Sequence, residues 1–254
     1  MCGRFVITSP PEALRQIFGY VEQPNFPPRF NISPTQPIPV ILLEYGARHF
    51  RLMRWGLIPA WAKDPRKFTA LINARAETVR EKPAFKNAIV RRRCLIPADG
   101  YYEWQASGHR KRPYFIHRRD GSPIGLAGVA ETWIGPNGEE LDTVAIVTAP
   151  ASADLSILHH RVPVTIGTGD FERWLDCNAH DVDAVTPLMR GPDEGEFVWH
   201  EISTRVNHVA NDDAQLILPI TPEQREAEAP KPLKRASPRK GAAVTPNDGQ
   251  GSLF

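Results

Sequence analysis

The feature that most constrains the fold is a series of short strand-forming segments separated by turn dipeptides. Residues 38–43 and 49–55 predict two strands joined at Tyr45-Gly46. Further strands are predicted at 101–105, 114–117, 124–133, 143–148 and 197–203, with Asp120-Gly121 and Asn137-Gly138 as hairpin turns. This order is typical of an α+β fold, not of a βαβ repeat. We expect a single domain of short, mostly antiparallel, bent strands forming a barrel-like sheet core with flanking helices.

Helices are predicted around this sheet. The first covers Ser9–Phe18, with Ser9 as N-cap, Pro10 at the first helical position and Glu12 completing a capping box. Residues 20–39, which are rich in Pro, Asn and Phe, predict an ordered loop. Shorter helices are expected at 84–92, 154–158, 171–177 and 182–189.

Composition separates a globular domain, residues 1–220, from a tail predicted to be disordered, residues 221–254, which has few large apolar side chains. Six of the 31 basic and four of the 29 acidic residues lie in the tail, so 25 of each remain in the domain. Bulk charge therefore provides no argument for nucleic acid. No apolar run is long enough to span a bilayer and no signal region is present, so we expect a cytoplasmic protein without membrane contact.

Cys2 is the residue around which the candidate chemistry is organised. Removal of Met1, which a small second residue normally permits, would give Cys2 a free α-amine beside its thiol. Such an aminothiol attacks an aldehyde first through nitrogen and then through sulfur, forming a thiazolidine. The alternative is a small, buried and inert cysteine. With only three cysteines and no CxxC pair, a disulfide framework and a cysteine-rich zinc site are not expected.

Two further residues could move protons. Glu103 lies between aromatic residues in a predicted strand, and apolar surroundings raise the pKa of a carboxyl group into the range of a general acid. The alternative is a carboxylate that faces water through strand alternation. His159 precedes His160-Arg161 and has the side chain best suited to proton transfer near pH 7, although many histidines are structural.

Polar and aromatic residues elsewhere suggest contacts to a ligand. Asn73 and Arg75 share one face if their segment is extended, so the amide could hold an amine or sulfur and the guanidinium a phosphate; a capped loop is the alternative. Arg161 could bind a phosphate or pair with Glu103 or Glu131. Tryptophans interleaved with basic residues suit single-stranded nucleic acid, but each could instead belong to the core; they are Trp55, Trp61 and Trp104.

Taken together, six motifs in order resemble the SOS-response-associated peptidase family. They are Cys2-Gly3-Arg4-Phe5, Asn31-Ile32-Ser33-Pro34-Thr35, Trp55-Gly56-Leu57-Ile58-Pro59, Asn73-Ala74-Arg75-Ala76-Glu77-Thr78, Gly100-Tyr101-Tyr102-Glu103-Trp104 and His159-His160-Arg161-Val162-Pro163. The resemblance spans residues 2 to about 210. Val162 departs from the family, which commonly has Met there.

The resemblance implies covalent crosslinking of Cys2 to abasic sites in single-stranded DNA, after a peptidase-type removal of Met1 and with lyase-like activity as a further expectation. It implies catalytic roles for Cys2, Asn73, Glu103 and His159. Neither a metal nor a cofactor is expected, and the protein should act as a monomer associated with the nucleoid. The residues expected to contact DNA are Arg4, Asn31, Trp55, Trp61, Arg75, Trp104 and Arg161.

Two other classes of function remain compatible with these motifs. A Cys2/His159 peptidase or an amidohydrolase with an N-terminal nucleophile would turn over substrate and not stop at one adduct. A non-covalent reader of modified DNA bases would not need Cys2. The stoichiometry of product and the effect of replacing Cys2 distinguish these classes from the crosslinking protein.

Overall fold

The computed structural model describes residues 2–107 and 110–228 and contains thirteen strands in these ranges. In chain order the strands are β1 (Phe5–Ile7), β2 (Arg29–Ile32), β3 (Pro37–Glu44), β4 (Ala47–Trp55), β5 (Asn73–Arg75), β6 (Arg93–Ala98), β7 (Gly100–Ser107), β8 (Arg110–Arg118), β9 (Ile124–Ile134), β10 (Glu140–Pro150), β11 (Arg161–Pro163), β12 (Thr165–Ile166) and β13 (Phe197–Glu201).

Short helices connect and flank these strands. The α-helices are α1 (Pro11–Phe18), α2 (Lys86–Arg91), α3 (Ala153–Ser156), α4 (Phe171–Leu175), α5 (Val182–Val185) and α6 (Pro222–Ala227). Single 3₁₀ turns occur at Thr168–Asp170, Thr186–Leu188, Thr204–Asn207 and Ala214–Ile217.

The centre of the fold is a closed ring of five strands, in the order β10-β4-β3-β6-β9 and back to β10. Four of the five contacts are antiparallel, and only β4 and β10 run parallel. The β3–β4 hairpin closes at Tyr45 and Gly46, whose φ angles of 51° and 80° are those of a two-residue turn that matches strand twist. The predicted α+β class with a barrel-like, mostly antiparallel core is thus confirmed.

A second sheet of five strands, in the order β13-β8-β7-β1-β2, lies next to the barrel. Strand β1 is in its interior, with Phe5 opposite both Ile32 of β2 and Tyr101 of β7. Because β1 is paired on both sides, the residues immediately before it are held at a fixed position in the fold.

Three short strands extend the barrel, and two of them matter for the site. Strand β5 runs parallel to β10, with Asn73 opposite Ile146 and Arg75 opposite Thr148. Strand β11 pairs antiparallel with the end of β10, where Pro163 lies opposite Thr148. The end of β10 therefore brings the segment around Asn73 close to the segment that follows His159.

Three local predictions differ from the structure. Helix α1 begins at Pro11, not Ser9, because the Ser9 amide and hydroxyl both donate to the Asp99 carboxylate, so no capping box forms. The predicted loop contains strand β2, which pairs with β1. Asp120-Gly121 does not close a hairpin, since the two strands it joins lie in different sheets, whereas Asn137-Gly138 does connect antiparallel β9 and β10.

The chain just after residue 220 contacts the second sheet. Thr221 forms a capping box with Gln224 at the start of α6. Arg225 pairs with Glu201 at 2.9 Å, and the Glu228 carboxylate accepts hydrogen bonds from Ser203 Oγ and the Thr204 amide. The rest of the predicted tail, residues 229–254, lies outside the described residues. Within residues 2–107 and 110–228, no helix is both long and apolar enough to cross a membrane.

Candidate functional site

Cys2 lies immediately before β1 and is fully buried. Its backbone carbonyl accepts a hydrogen bond of 2.9 Å from Asn73 Nδ2, and its Sγ lies 3.8 Å from the carbonyl oxygen of Arg4. Burial raises the pKa of the Cys2 thiol well above its usual value, and the nearby Glu103 carboxylate raises it further. The thiol therefore stays protonated at neutral pH and must lose its proton during attack.

Asn73 is positioned by the pairing of β5 with β10. While its Nδ2 holds Cys2, its Oδ1 is also buried and has no hydrogen-bond partner among the residues of 2–107 and 110–228. A buried amide oxygen without a partner is costly in a folded protein and therefore calls for a functional explanation. The carbonyl to which Nδ2 binds belongs to the same residue that carries the candidate nucleophiles.

Glu103 is 3% exposed, so the alternative of a water-facing strand residue does not apply. It lies on β7, the strand that pairs with β1. Its negative charge acts on both the Cys2 thiol and the His159 imidazole, and it raises the pKa of each. Glu103 is therefore the residue that electrostatically connects the N-terminal cysteine to the histidine.

His159 lies between α3 and β11 and stacks on His160, with ring centroids 4.3 Å apart. Its Nδ1 lies 3.0 Å from the Arg161 backbone amide and 3.1 Å from the Arg161 carbonyl oxygen, so the backbone of Arg161 holds the ring in place. Burial lowers the pKa of His159, and the Glu103 carboxylate opposes that effect. The imidazole is thus neutral at pH 7 and able to accept a proton.

Glu103 and His159 also line an open cleft of about 520 Å³. The other lining residues are Trp104, Lys111 and Asn207. Trp104 is fixed by a hydrogen bond of 2.8 Å from its Nε1 to Asn207 Oδ1. The cleft is thus lined by the predicted carboxylate and imidazole together with an anchored aromatic ring, while Cys2 is fully buried.

Arg161 pairs with neither Glu103 nor Glu131. Its guanidinium forms a two-pronged ion pair with Glu77, at 2.8 and 3.0 Å, and also donates to the backbone carbonyl of Thr148. The Arg161 side chain is 8% exposed. The Glu77 carboxylate occupies the two guanidinium donors that a phosphate would otherwise bind. In this structure Arg161 therefore connects β11 to the segment after β5.

Arg4 and Asn31 also have partners within the protein. The Arg4 guanidinium donates to Asn31 Oδ1 at 2.6 Å and to the carbonyl of Val206 at 2.8 Å. Asn31 is 1% exposed, and its Nδ2 donates to the carbonyls of Val206, His208 and Asn211. Both residues therefore fix the segment 206–211, which carries Asn207 of the cleft.

The remaining predicted DNA-contact residues differ in their exposure. Trp55 is fully buried and donates from Nε1 to the carbonyl of Ile72, which leaves its ring no surface for stacking on a base; it is a core tryptophan, the alternative noted for it above. Trp61 is 60% exposed and packs edge-on against Phe68. Arg75 is exposed and has no ion pair within the described part of the chain.

Three residues that shape the site were not predicted from the sequence: Glu77 as the partner of Arg161, and Lys111 and Asn207 as cleft residues. Glu77 was within a recognised motif, but nothing in the sequence indicated its partner. The other two lie in segments without a distinctive pattern. The residues described here contain no group of three or more His, Cys, Asp or Glu side chains placed to hold a metal ion.

Fold and site together define an α+β barrel protein in which a second-residue cysteine is held by an amide and lies near a carboxylate and an imidazole at a surface cleft. The chain belongs to the SOS response associated peptidase family, whose model matches residues 1–209. The family resemblance of the six motifs is therefore confirmed.

Relatives of this chain are found in several bacteria. Abasic site processing protein YoqW of Bacillus subtilis is 33% identical over 221 residues, covering 85% of this chain and 99% of the relative. Abasic site processing protein YedK of Escherichia coli is 31% identical and covers 87% and 100%. A crystal structure from Bacteroides thetaiotaomicron shares the fold, with a TM-score of 0.78 at 23% identity over 87% of this chain.

Proposed function

We propose that this protein processes abasic sites in DNA by capturing them covalently through Cys2. Relatives named abasic site processing proteins match more than four fifths of the chain at 31–33% identity, which supports the substrate. The observation that carries the chemistry is the hydrogen bond between Asn73 and Cys2, beside the Glu103 and His159 pair.

The reaction forms two new bonds to one carbon atom, C1′ of the abasic sugar. After Met1 is removed, the Cys2 amine adds to the C1′ aldehyde of the open abasic sugar and water leaves, giving a Schiff base. The Cys2 sulfur then adds to the same carbon, and the thiol proton is transferred to the nitrogen. The product is a thiazolidine, formed with release of one water and no redox change, so the reaction needs no co-reactant.

The side chains around Cys2 have different roles in this reaction. Asn73 holds the Cys2 backbone, and its unpartnered Oδ1 is available to the liberated amine. Glu103 promotes opening of the cyclic sugar and loss of water by proton transfer. His159, whose pKa burial lowers, accepts the thiol proton, which is needed because the buried thiol is not ionised. The same imidazole is assigned to proton transfer in reversal of the crosslink or in lyase-like strand release.

Single-stranded DNA is the proposed form of the substrate. The half-buried Trp104 lines the open cleft, and Trp61 and Arg75 offer an exposed ring and a guanidinium without an ion pair in the described chain. Stacking on aromatic rings and contacts to phosphate tolerate any base sequence. Arg4, Asn31 and Arg161 are assigned a positioning role here, since their side chains hold the elements around the site.

The test is a denaturing gel of the purified protein with an oligonucleotide carrying one abasic site. Wild type should give one stable adduct per protein. Cys2→Ser should give no stable adduct but a Schiff base that borohydride traps, because it keeps the amine and loses the sulfur. An extra residue before Cys2 should abolish both.

Cys177→Ser is the matched control, since Cys177 is another free cysteine of the described chain. It should react like wild type. A wild-type protein whose Met1 is absent by intact mass, and which still leaves the oligonucleotide unshifted, would exclude covalent capture. Multiple turnovers of a peptide with no DNA adduct would favour the peptidase alternative.

A further inference from the structure

The cleft beside Glu103 needs a positive charge if it is to accept DNA. Glu103 is one of the described residues that line the cleft, and a carboxylate offers no attraction to a phosphate. Of the basic residues predicted to bind phosphate, Arg4 donates to Asn31 and the main chain, and Arg161 is paired with Glu77. Arg75, the third of them, is exposed, and none of the three guanidinium groups is among the described residues that line the cleft.

Among the residues whose side chains the structure describes, Lys111 carries the ammonium group that lines the cleft. It lies on β8 opposite Ala106, two positions from Pro113, which pairs with Trp104. Because side chains alternate along a strand, Lys111 and Trp104 project from the same face of the β7–β8 pair as diagonal neighbours.

The Lys111 ammonium group is available for a ligand. The side chain is exposed, and it forms no hydrogen bond or ion pair with any residue in the described parts of the chain. Trp104, by contrast, is fixed by its hydrogen bond to Asn207. An exposed cation next to a fixed aromatic ring is a combination that binds single strands, with the ring stacking on a base and the cation following the backbone.

We propose that Lys111 binds a backbone phosphate of the DNA strand next to the abasic site, while a neighbouring base stacks on Trp104. This assignment rests on the proposed function only in that the ligand is single-stranded DNA. Lys111 supplies a positive charge to the cleft beside Trp104 and thereby favours the approach of the strand. It is a positioning residue and takes no part in bond formation.

The experiment measures non-covalent binding of an intact, mixed-sequence single strand, with all variants made in a Cys2→Ala background. Fluorescence anisotropy is recorded between about 50 and 200 mM salt, where counterion release gives a log–log slope of about −0.7 per phosphate contact on a single strand. Lys111→Gln should weaken binding several-fold at low salt and reduce the slope by about 0.7. Lys111→Arg should keep the parent slope, because it retains the charge.

Lys82→Gln is the matched control, since Lys82 is exposed and does not line the cleft. It should bind like the parent. An unchanged slope in Lys111→Gln, an equal loss in Lys82→Gln, or failure of Lys111→Arg to restore the slope would each overturn the assignment. Melting temperatures of all variants exclude misfolding as the cause.

A second measurement separates this proposal from the covalent one. In a background with Cys2 intact and an abasic oligonucleotide, Lys111→Gln should raise the half-saturating DNA concentration more than it lowers the maximal crosslinking rate. If wild type forms no adduct while the salt slopes behave as expected, covalent capture fails and the phosphate contact stands. If adducts form but the salt slopes of the parent and Lys111→Gln do not differ, covalent capture stands and the phosphate contact fails.

Discussion

The side-chain amide of Asn73 donates a hydrogen bond of 2.9 Å to the backbone carbonyl of Cys2, and so joins strand β5 of the barrel to the start of the chain. Seventy-one residues separate the two partners in sequence. The contact requires β5 to be parallel to β10 and β1 to be paired on both sides. The position of the N-terminal cysteine is therefore a consequence of both sheets.

Removal of this contact should slow capture without unfolding the protein. We expect Asn73→Ala to reduce the rate of adduct formation about 3- to 10-fold, since one hydrogen bond contributes about 0.5–1.5 kcal/mol net. Initial rates from denaturing gels measure the effect, and the exposed Asn87→Ala serves as control. An Asn73→Ala rate equal to that of wild type would show that the amide does not position the reacting group.

The pH dependence of the rate of adduct formation should reveal the protonation of His159. Its pKa lies below the ordinary value of about 6.5 because burial disfavours the imidazolium. As pH falls, the rate should first decline with protonation of the α-amine and then decline more steeply below about pH 6.5 as His159 gains a proton. Adduct formation measured from pH 5 to 8 at constant ionic strength tests this, and the second decline should be missing in His159→Gln.

The same protonation should affect stability in a defined direction. A folded-state pKa below the unfolded value means that the unfolded chain binds more protons, so this group lowers the free energy of unfolding as pH falls below about 6.5. His159→Gln should therefore lose less stability than wild type between pH 6.5 and 5 in urea unfolding. An identical pH dependence in both proteins would contradict the burial of a neutral imidazole.

The ion pair between Arg161 and Glu77 should stabilise the fold. Glu77→Ala leaves the guanidinium, which is 8% exposed, without its carboxylate, and we expect a loss of about 1–2 kcal/mol because Glu77 itself is 45% exposed. For a domain of this size the melting temperature should fall by roughly 2–8 °C. Glu81→Ala, an exposed neighbour, is the control. If both variants have the melting temperature of wild type, the Arg161–Glu77 ion pair does not stabilise the fold.

Two tryptophans predicted to contact DNA, Trp55 and Trp61, should respond differently to substitution. Trp55→Ala removes a fully buried ring and should destabilise the protein by about 3–5 kcal/mol. Trp61→Ala removes a ring that is 60% exposed and should leave the melting temperature nearly unchanged. Thermal melts distinguish these outcomes. Trp55→Ala that is fully stable but weak in DNA binding would contradict the assignment of Trp55 to the core.

Much of the architecture was predictable because it depends on neighbours in sequence. The β3–β4 hairpin follows from strand-forming residues around Tyr45-Gly46, where both φ angles are positive. Failures occurred where a distant residue competed with a local signal. Ser9 has the sequence of a helix cap, but Asp99, 90 residues away, binds its amide and hydroxyl. Asp120-Gly121 is a good turn, yet the sequence does not state that its two strands belong to different sheets.

For the candidate site, too, some features could be predicted from the sequence and others depended on the tertiary structure. Motif residues such as Cys2, Asn73, Glu103 and His159 could be named from the chain, because each chemistry requires a particular side chain. Which of them are buried, and which partners they have, depended on how the barrel and the second sheet come together. Arg161 forms its ion pair with Glu77 and not with Glu103, and Trp55 is buried in the core. Both outcomes depend on contacts between segments that are far apart in sequence.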